Sequence, residues 1–280
     1  MTTRKLKQLV TGQPATDGAG VELVRVIGQP AFMELDPFLL LDSFRSDNPD
    51  DYIAGFPPHP HRGFETVTYL LNGRMRHKDN AGNEGVIEPG GIQWMTAGKG
   101  IVHSEMPEQE DGLLEGFQLW INLPASHKMS APAYQEHDRA EIPTETRDGA
   151  EVRVITGQTS KGSVGPISQP LTDPLYLDVT LQPGNRFEEP VAAGHSTIVY
   201  VIRGSLEMQA IDGETYRIER DQLGVLGDGD RVDLPAPDAR TRFLLIAGKP
   251  LNEPIARGGP FVMNTPDAVS YTHLTLPTMQ

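Results

Sequence analysis

The chain has 280 residues, 24 Lys+Arg against 38 Asp+Glu for a formal net charge of −14, and no cysteine. Zero Cys removes disulfides, thiolate metal ligands and cysteine nucleophiles together and fits a reducing cytoplasm, while the acidic balance argues against general nucleic-acid binding, which runs on phosphate neutralisation by Lys and Arg. No apolar run approaches the roughly 18 residues of a membrane helix, and the opening MTTRKLKQLVTG has basic residues without the apolar core of a secretory signal, so the expected location is cytoplasmic with no membrane contact.

With 29 Gly and 24 Pro, turns break the chain often and long helices are not expected. The predicted elements are short, β-branched and closed by turn residues: VELVRVIG at Val21–Gly28, ETVTYLLNG at Glu65–Gly73, GFQLWINL at Gly116–Leu123, AEVRVITG at Ala150–Gly157, STIVYVIRG at Ser196–Gly204 and TRFLLIAG at Thr241–Gly248. Many short strands spaced by turns predict an all-β sandwich or barrel. Tyr69-Leu-Leu-Asn-Gly73 and Tyr200-Val-Ile-Arg-Gly204 match 131 positions apart, and each leads to a second turn, Pro89-Gly90-Gly91 and Arg220-Asp221-Gln222. That spacing predicts two copies of one β-domain joined through the loop-rich Pro124–Ala150.

Four of the eight His fall in one short region. His59 and His61 form an i, i+2 pair, and so do His103 and Glu105. On strands such pairs point to one face. If the two strands lie side by side, three imidazoles and one carboxylate meet with two octahedral positions open, a set that suits non-haem Fe(II) and could also take Mn, Ni, Cu or Zn. A lone HxH is ordinarily a pair of surface histidines, but two same-face pairs separated by glycine turns favour a metal site. His77 and Asp79 are rival ligands, read here as an exposed strand face beside Arg74, Arg76 and Lys78. Glu65 is either a fifth ligand or a hydrogen-bond partner of a ligand His. His127, His137 and His195 read as surface residues. Trp94, Met95, Phe117 and Trp120 read as core. No G-x-S-x-G is present, and Gly98-Lys-Gly100 lacks what a dinucleotide site needs.

HPHRGFETVTYLLNG followed by GGIQWMTAGKGIVHSEMP resembles the pirin family of the cupin superfamily. DPFLLLDSF (Asp36–Phe44), FQLWINLP (Phe117–Pro124) and GPFVMNT (Gly259–Thr265) also resemble pirin segments in order, so the resemblance spans about Leu23 to Thr265. It implies a bicupin: all-β, two jelly-roll barrels facing each other, few short helices. The expected division is a metal-binding barrel over 1–130, a barrel without ligands over 131–268 and a tail over 269–280. The resemblance implies one Fe(II) per chain in the first barrel, held by His59, His61, His103 and Glu105, the same four residues. Shifted by 131 positions these become Pro190, Ala192, Leu234 and Ala236, which cannot bind metal; a slip of one residue brings in Glu189 or Asp233.

The function this implies is a quercetin 2,3-dioxygenase, with a flavonol and O2 as reactants and Glu105 as the nearest general base. The alternative is an iron-dependent regulator that binds a protein partner. A bicupin isomerase or storage protein is the least supported reading. Phe56, Met75 and Trp94 are candidate pocket-lining residues. Ser270–Gln280 carries no charge and no helical pattern, which reads as non-native read-through or a disordered tail.

Overall fold

Several strands stop at glycines that turn left-handed, among them those that run into Gly28, Gly73, Gly157 and Gly204. The computed structural model describes residues 2–236 and 239–275. In chain order the strands are β1 (Leu6–Thr11), β2 (Gln13–Asp17), β3 (Val21–Ile27), β4 (Phe38–Ser46), β5 (Phe56–His61), β6 (Phe64–Asn72), β7 (Met75–Asp79) and β8 (Glu84–Ile87). Next come β9 (Ile92–Thr96), β10 (Ile101–Pro107), β11 (Leu114–Asn122), β12 (Ala133–His137), β13 (Thr144–Arg147), β14 (Ala150–Thr156), β15 (Leu175–Leu181) and β16 (Arg186–Pro190). The remainder are β17 (Ser196–Arg203), β18 (Ser205–Gln209), β19 (Thr215–Glu219), β20 (Gln222–Leu226), β21 (Arg231–Pro235), β22 (Thr241–Gly248), β23 (Ala256–Gly258) and β24 (Phe261–Met263), and the helix α1 (Pro266–Thr275) follows.

All six predicted segments are strands. The repeat is visible in the backbone: β6 and β17 each run into a glycine at positive φ, Gly73 at 84° and Gly204 at 76°. The second turns match as well, with Gly90 at 86° and Asp221 at 61°. Glycine takes this conformation without a Cβ penalty, and Asp tolerates it better than most residues.

Two compact units form, and neither is collinear with the sequence. One contains Pro14–Arg139 and Leu251–Gln280, the other Met1–Gln13 and Ala140–Pro250. The sequence expectation was three consecutive segments, 1–130, 131–268 and 269–280. In the first unit a seven-stranded sheet (β12-β9-β6-β11-β4-β3-β2) accompanies a four-stranded sheet (β5-β10-β7-β8) and the β23-β24 ribbon. In the second, the seven-stranded sheet β1-β20-β17-β22-β15-β14-β13 is covered by the ribbons β16-β21 and β18-β19.

The second unit is filled with hydrocarbon. Val152, Val154, Leu177, Val179, Val199, Val201, Phe243 and Leu245 from its sheet form one cluster with Phe187, Leu206, Ile218, Val232 and Leu234 from the ribbons. Each such buried side chain contributes about 1.5–3 kcal/mol. Leu234 and Ala236, where the 131-residue shift carries His103 and Glu105, belong to this core. The shift is not kept in register, since Pro190 lies opposite Arg231 and Leu234 opposite Phe187. Glu189 is buried but engaged, 2.5 Å from Arg147 and accepting from the Ser160 amide at 2.6 Å. Asp233 pairs with Arg186.

Two further sequence expectations change. Helix α1 runs through Ser270–Thr275, where no helical pattern was expected; residues 276–280, the rest of the predicted tail, lie outside the described residues. Pro at its first position and Asp267 in the first turn suit a helix start. His127 is exposed as expected, but His137 and His195 are half-buried. Among the described residues no helix is long and apolar enough to cross a membrane.

Candidate metal centre and its cavity

The segment FPPHPH has prolines at 57, 58 and 60, which cannot donate to a sheet ladder, and β5 is accordingly an edge strand. It pairs antiparallel with β10, and His103 lies opposite His59. Pleating turns His59 and His61 to one side, toward His103. The ring centroids are 4.7 Å apart for His59–His61, 4.4 Å for His59–His103 and 4.9 Å for His61–His103. One nitrogen from each ring falls in a group whose members all lie within 4.8 Å of one another.

The turn after His61 is fixed by Gly63, at φ 87°. A Cβ there would stand 1.9 Å from the Val262 carbonyl oxygen, so only glycine fits. Beside it the buried Lys128 ammonium donates to the carbonyls of Gly63 at 2.8 Å and Val262 at 3.1 Å and to Asn122 Oδ1 at 2.6 Å. Lys128 thus ties the β5–β6 turn to β24.

The donor chemistry fits a metal. Burial, reinforced by the charges of His59 and Arg257, holds His61 well below the ordinary imidazole range. Burial and then His61, His59 and His77 do the same for His103. Both rings are therefore neutral near pH 7, with a lone pair to give. His59 Nδ1 donates to the Pro57 carbonyl at 2.8 Å, and His61 bonds the Pro260 carbonyl through one nitrogen. His61 Nδ1 and His103 Nε2 are buried without a hydrogen-bond partner. Each orphaned atom costs about 1–3 kcal/mol, a cost that coordination to a cation offsets. Neutral imidazoles suit a transition metal.

Glu105 stands outside the 4.8 Å group. Its buried carboxylate accepts from Thr68 Oγ1 at 2.7 Å, and Gln118 Nε2 lies 3.5 Å from its other oxygen. Thr68 Oγ1 is also 2.6 Å from Gln118 Oε1. A hydroxyl has one proton, so the contacts can be satisfied in two ways. Either Glu105 carries a proton and donates to Thr68, which closes the ring, or the Gln118 amide is turned, Thr68 donates to a carboxylate, and the 3.5 Å contact between Gln118 and Glu105 is no longer a hydrogen bond. The two states differ by one proton on Glu105.

His77 and Asp79 correct the reading of an exposed face. Both are buried, and His77 Nε2 lies 3.2 Å from Asp79 Oδ2. The ring of His77 lies beside that of His103, with centroids 5.2 Å apart, and is not part of the three-imidazole group. Nothing in the alternation of Arg76, His77 and Lys78 marked the middle residue as buried; its i, i+2 relation to Asp79 was the available signal. Glu65 is fully buried and accepts from Thr96 Oγ1 at 2.6 Å.

A cavity of about 630 Å³ opens onto His59, His61 and Glu105. Phe56 and Met75 line it as expected; Trp94 does not, and is buried in the core. Trp120, read as core, also lines it, edge-on to His61 with ring centroids 5.1 Å apart.

Two cupin units, one carrying converging imidazoles and the other packed with hydrocarbon, define a bicupin. A family model for pirin matches residues 20–121, and one for the pirin C-terminal cupin domain matches residues 176–274. The chain is 53% identical to a pirin-like protein of Caulobacter vibrioides over 95% of this chain and 94% of that one. It is 43% identical to human pirin over 96% of this chain and 91% of the other. A crystal structure of quercetin 2,3-dioxygenase from Acinetobacter baumannii superposes with a TM-score of 0.88 at 33% identity, covering 98% of this chain and 96% of that one. The chain belongs to the pirin family.

Proposed function

We propose that His59, His61, His103 and Glu105 hold one iron(II), and that the chain is a dioxygenase opening the heterocyclic ring of a flavonol of the quercetin type. The observation that carries this reading is the shared cavity: two of the imidazoles and a buried carboxylate face one space walled in part by Phe44, Phe56, Met75 and Trp120. The similar Acinetobacter baumannii dioxygenase supports the reaction class. When bound, the metal supplies orientation and polarisation of the substrate and electron transfer to O2.

The protein's own groups do the rest. Phe56, Met75, Phe44 and Trp120 offer apolar surface for a flat aromatic ligand. Glu105 takes the proton of the flavonol 3-hydroxyl, and the Thr68 hydroxyl holds the carboxylate in either protonation state. Both oxygen atoms then enter the substrate as the heterocycle opens, and carbon monoxide leaves.

The test is elemental analysis of protein purified without chelator, followed by O2 uptake with quercetin. About one iron per chain with quercetin-dependent uptake is the expected result. Iron without uptake would shift the role to an iron-dependent partner protein. Absence of any transition metal after anaerobic Fe(II) reconstitution would overturn the site.

A further inference from the structure

The cavity holds two arginines in different electrostatic states. Arg25 is directly paired: it donates to Asp42 at 2.9 and 2.7 Å and to Asp17 at 2.6 Å, a group with one more carboxylate than guanidinium. Those bonds also account for two of the three carboxylates in the cavity lining; the third, Glu105, is held by Thr68 and Gln118. Arg257, on β23, has no carboxylate partner among the described residues. It makes only long bonds to backbone oxygens, Nη1 to Leu39 at 3.3 Å and Nε to Gly259 at 3.4 Å. Its guanidinium lies over the Trp120 indole, 4.9 Å from the ring centroid.

Trp120 fixes this arrangement. Phe64 packs on it with centroids 4.4 Å apart, and His61 meets it at 5.1 Å. The same indole therefore touches both the guanidinium and one ring of the imidazole cluster. The chain carries a net charge of −14, yet Arg257, which feels Asp42, Glu34 and Asp17 only through space and forms no salt bridge among the described residues, is a cation beside an aromatic slot. Planar guanidinium is suited to an oxyanion, which it engages with charge-assisted bonds.

We infer that Arg257 is the anion-recognising residue of this cavity and selects planar aromatic ligands bearing an ionised oxygen, a carboxylate or an acidic phenolate. The inference rests on the reading of the cavity as the substrate site and narrows its substrate class. It predicts that the ligand lies along the Trp120 wall, with its anionic edge at Arg257 and its body toward the imidazoles.

The test is calorimetric titration of the full chain, as purified and again after chelator treatment, with 2-naphthoate against 2-naphthamide and with 4-nitrophenolate against 4-nitroanisole. The wild type should prefer each anion over its neutral analogue by about tenfold. Arg257→Gln should bring both ratios close to one while leaving the neutral ligands' affinities unchanged, and Arg257→Lys should fall between. The two pairs show which ionised oxygen is preferred. No preference in the wild type, no binding of any probe, or a preference that survives in Arg257→Gln would overturn the inference. The chelated arm separates the two readings: failure of the iron or O2 test leaves these ratios intact, whereas lost ratios with normal quercetin turnover sink only the role of Arg257.

Discussion

The Nδ1 atoms of His77 and His103 lie 3.4 Å apart, close enough for one ring to donate to the other. Asp79 decides which. Its Oδ2 accepts from His77 Nε2, so His77 Nδ1 is left as the acceptor and His103 Nδ1 as the donor. The lone pair of His103 is then on Nε2, the buried atom without a partner. Asp79 is itself held by the amides of Ala81 and Asn83 and by the Asn83 side chain. The tautomer of a candidate ligand is thus set from a turn two residues removed from any imidazole.

Replacing His77 by Phe, or Asp79 by Asn, should weaken metal binding about 10- to 100-fold while the fold persists, the usual scale for a group that orients a ligand. Competition against a chromophoric chelator measures this. Unchanged affinity in both variants would mean that the chain of bonds has no bearing on the metal.

Thr68→Val removes the hydroxyl that links Glu105 to Gln118. Metal content should stay at the wild-type level, and kcat should fall about ten- to a hundredfold, less than the roughly 10²–10⁴-fold of general acid–base catalysis because Glu105 itself remains. The informative measurement is kcat against KM with the metal stoichiometry in parallel. A rise in KM alone would assign Thr68 to the cavity wall instead.

Gly63→Ala should destabilise the protein by about 2–4 kcal/mol, since it adds strain at positive φ to a collision with backbone. The collision is with a carbonyl oxygen 1.9 Å away, not with a side chain that can swing aside. Chemical denaturation reads this directly, and a loss below 1 kcal/mol would show that the turn relaxes freely.

Burial lowers the pKa of Lys128 to about 8, partly opposed by Glu253. Above that pH the folded chain has released a proton that the unfolded chain keeps up to its ordinary value of 10.5. Stability from this group therefore rises with pH between the two values. Lys128→Met should abolish that rise, and at neutral pH should cost about 1–3 kcal/mol by orphaning its acceptors. Urea midpoints measured across the window test both statements.

The strand framework was legible because most of the β-branched runs stop at glycines, and four of those, Gly28, Gly73, Gly157 and Gly204, do take positive φ. The histidine pairs were legible for a similar reason: on a strand, two-residue spacing is a statement about direction. What the spacing could not give was depth. His77 lies between Arg76 and Lys78, and only the placement of β7 between β10 and β8 buries it. Trp120 looked like core because indoles usually are; it borders a cavity because β23, far along the chain, supplies Arg257 rather than another hydrocarbon. The strand Leu6–Thr11 was missed as a partner for β20 because no local pattern records which sheet an edge strand will join.

That exchange of segments gives the site a birth order. Arg257 hydrogen-bonds to a residue 218 positions earlier, and Lys128 to the carbonyl of Val262, 134 positions later. At 5–20 residues per second, about 10–40 s of synthesis separate Leu39 from Arg257. During that interval His61 has no Pro260 carbonyl to bond, and the turn at Gly63 has no β24 against it. The imidazole cluster thus takes its final form late in the life of the nascent chain, and a ribosome-bound product stalled before residue 260 should not retain the metal.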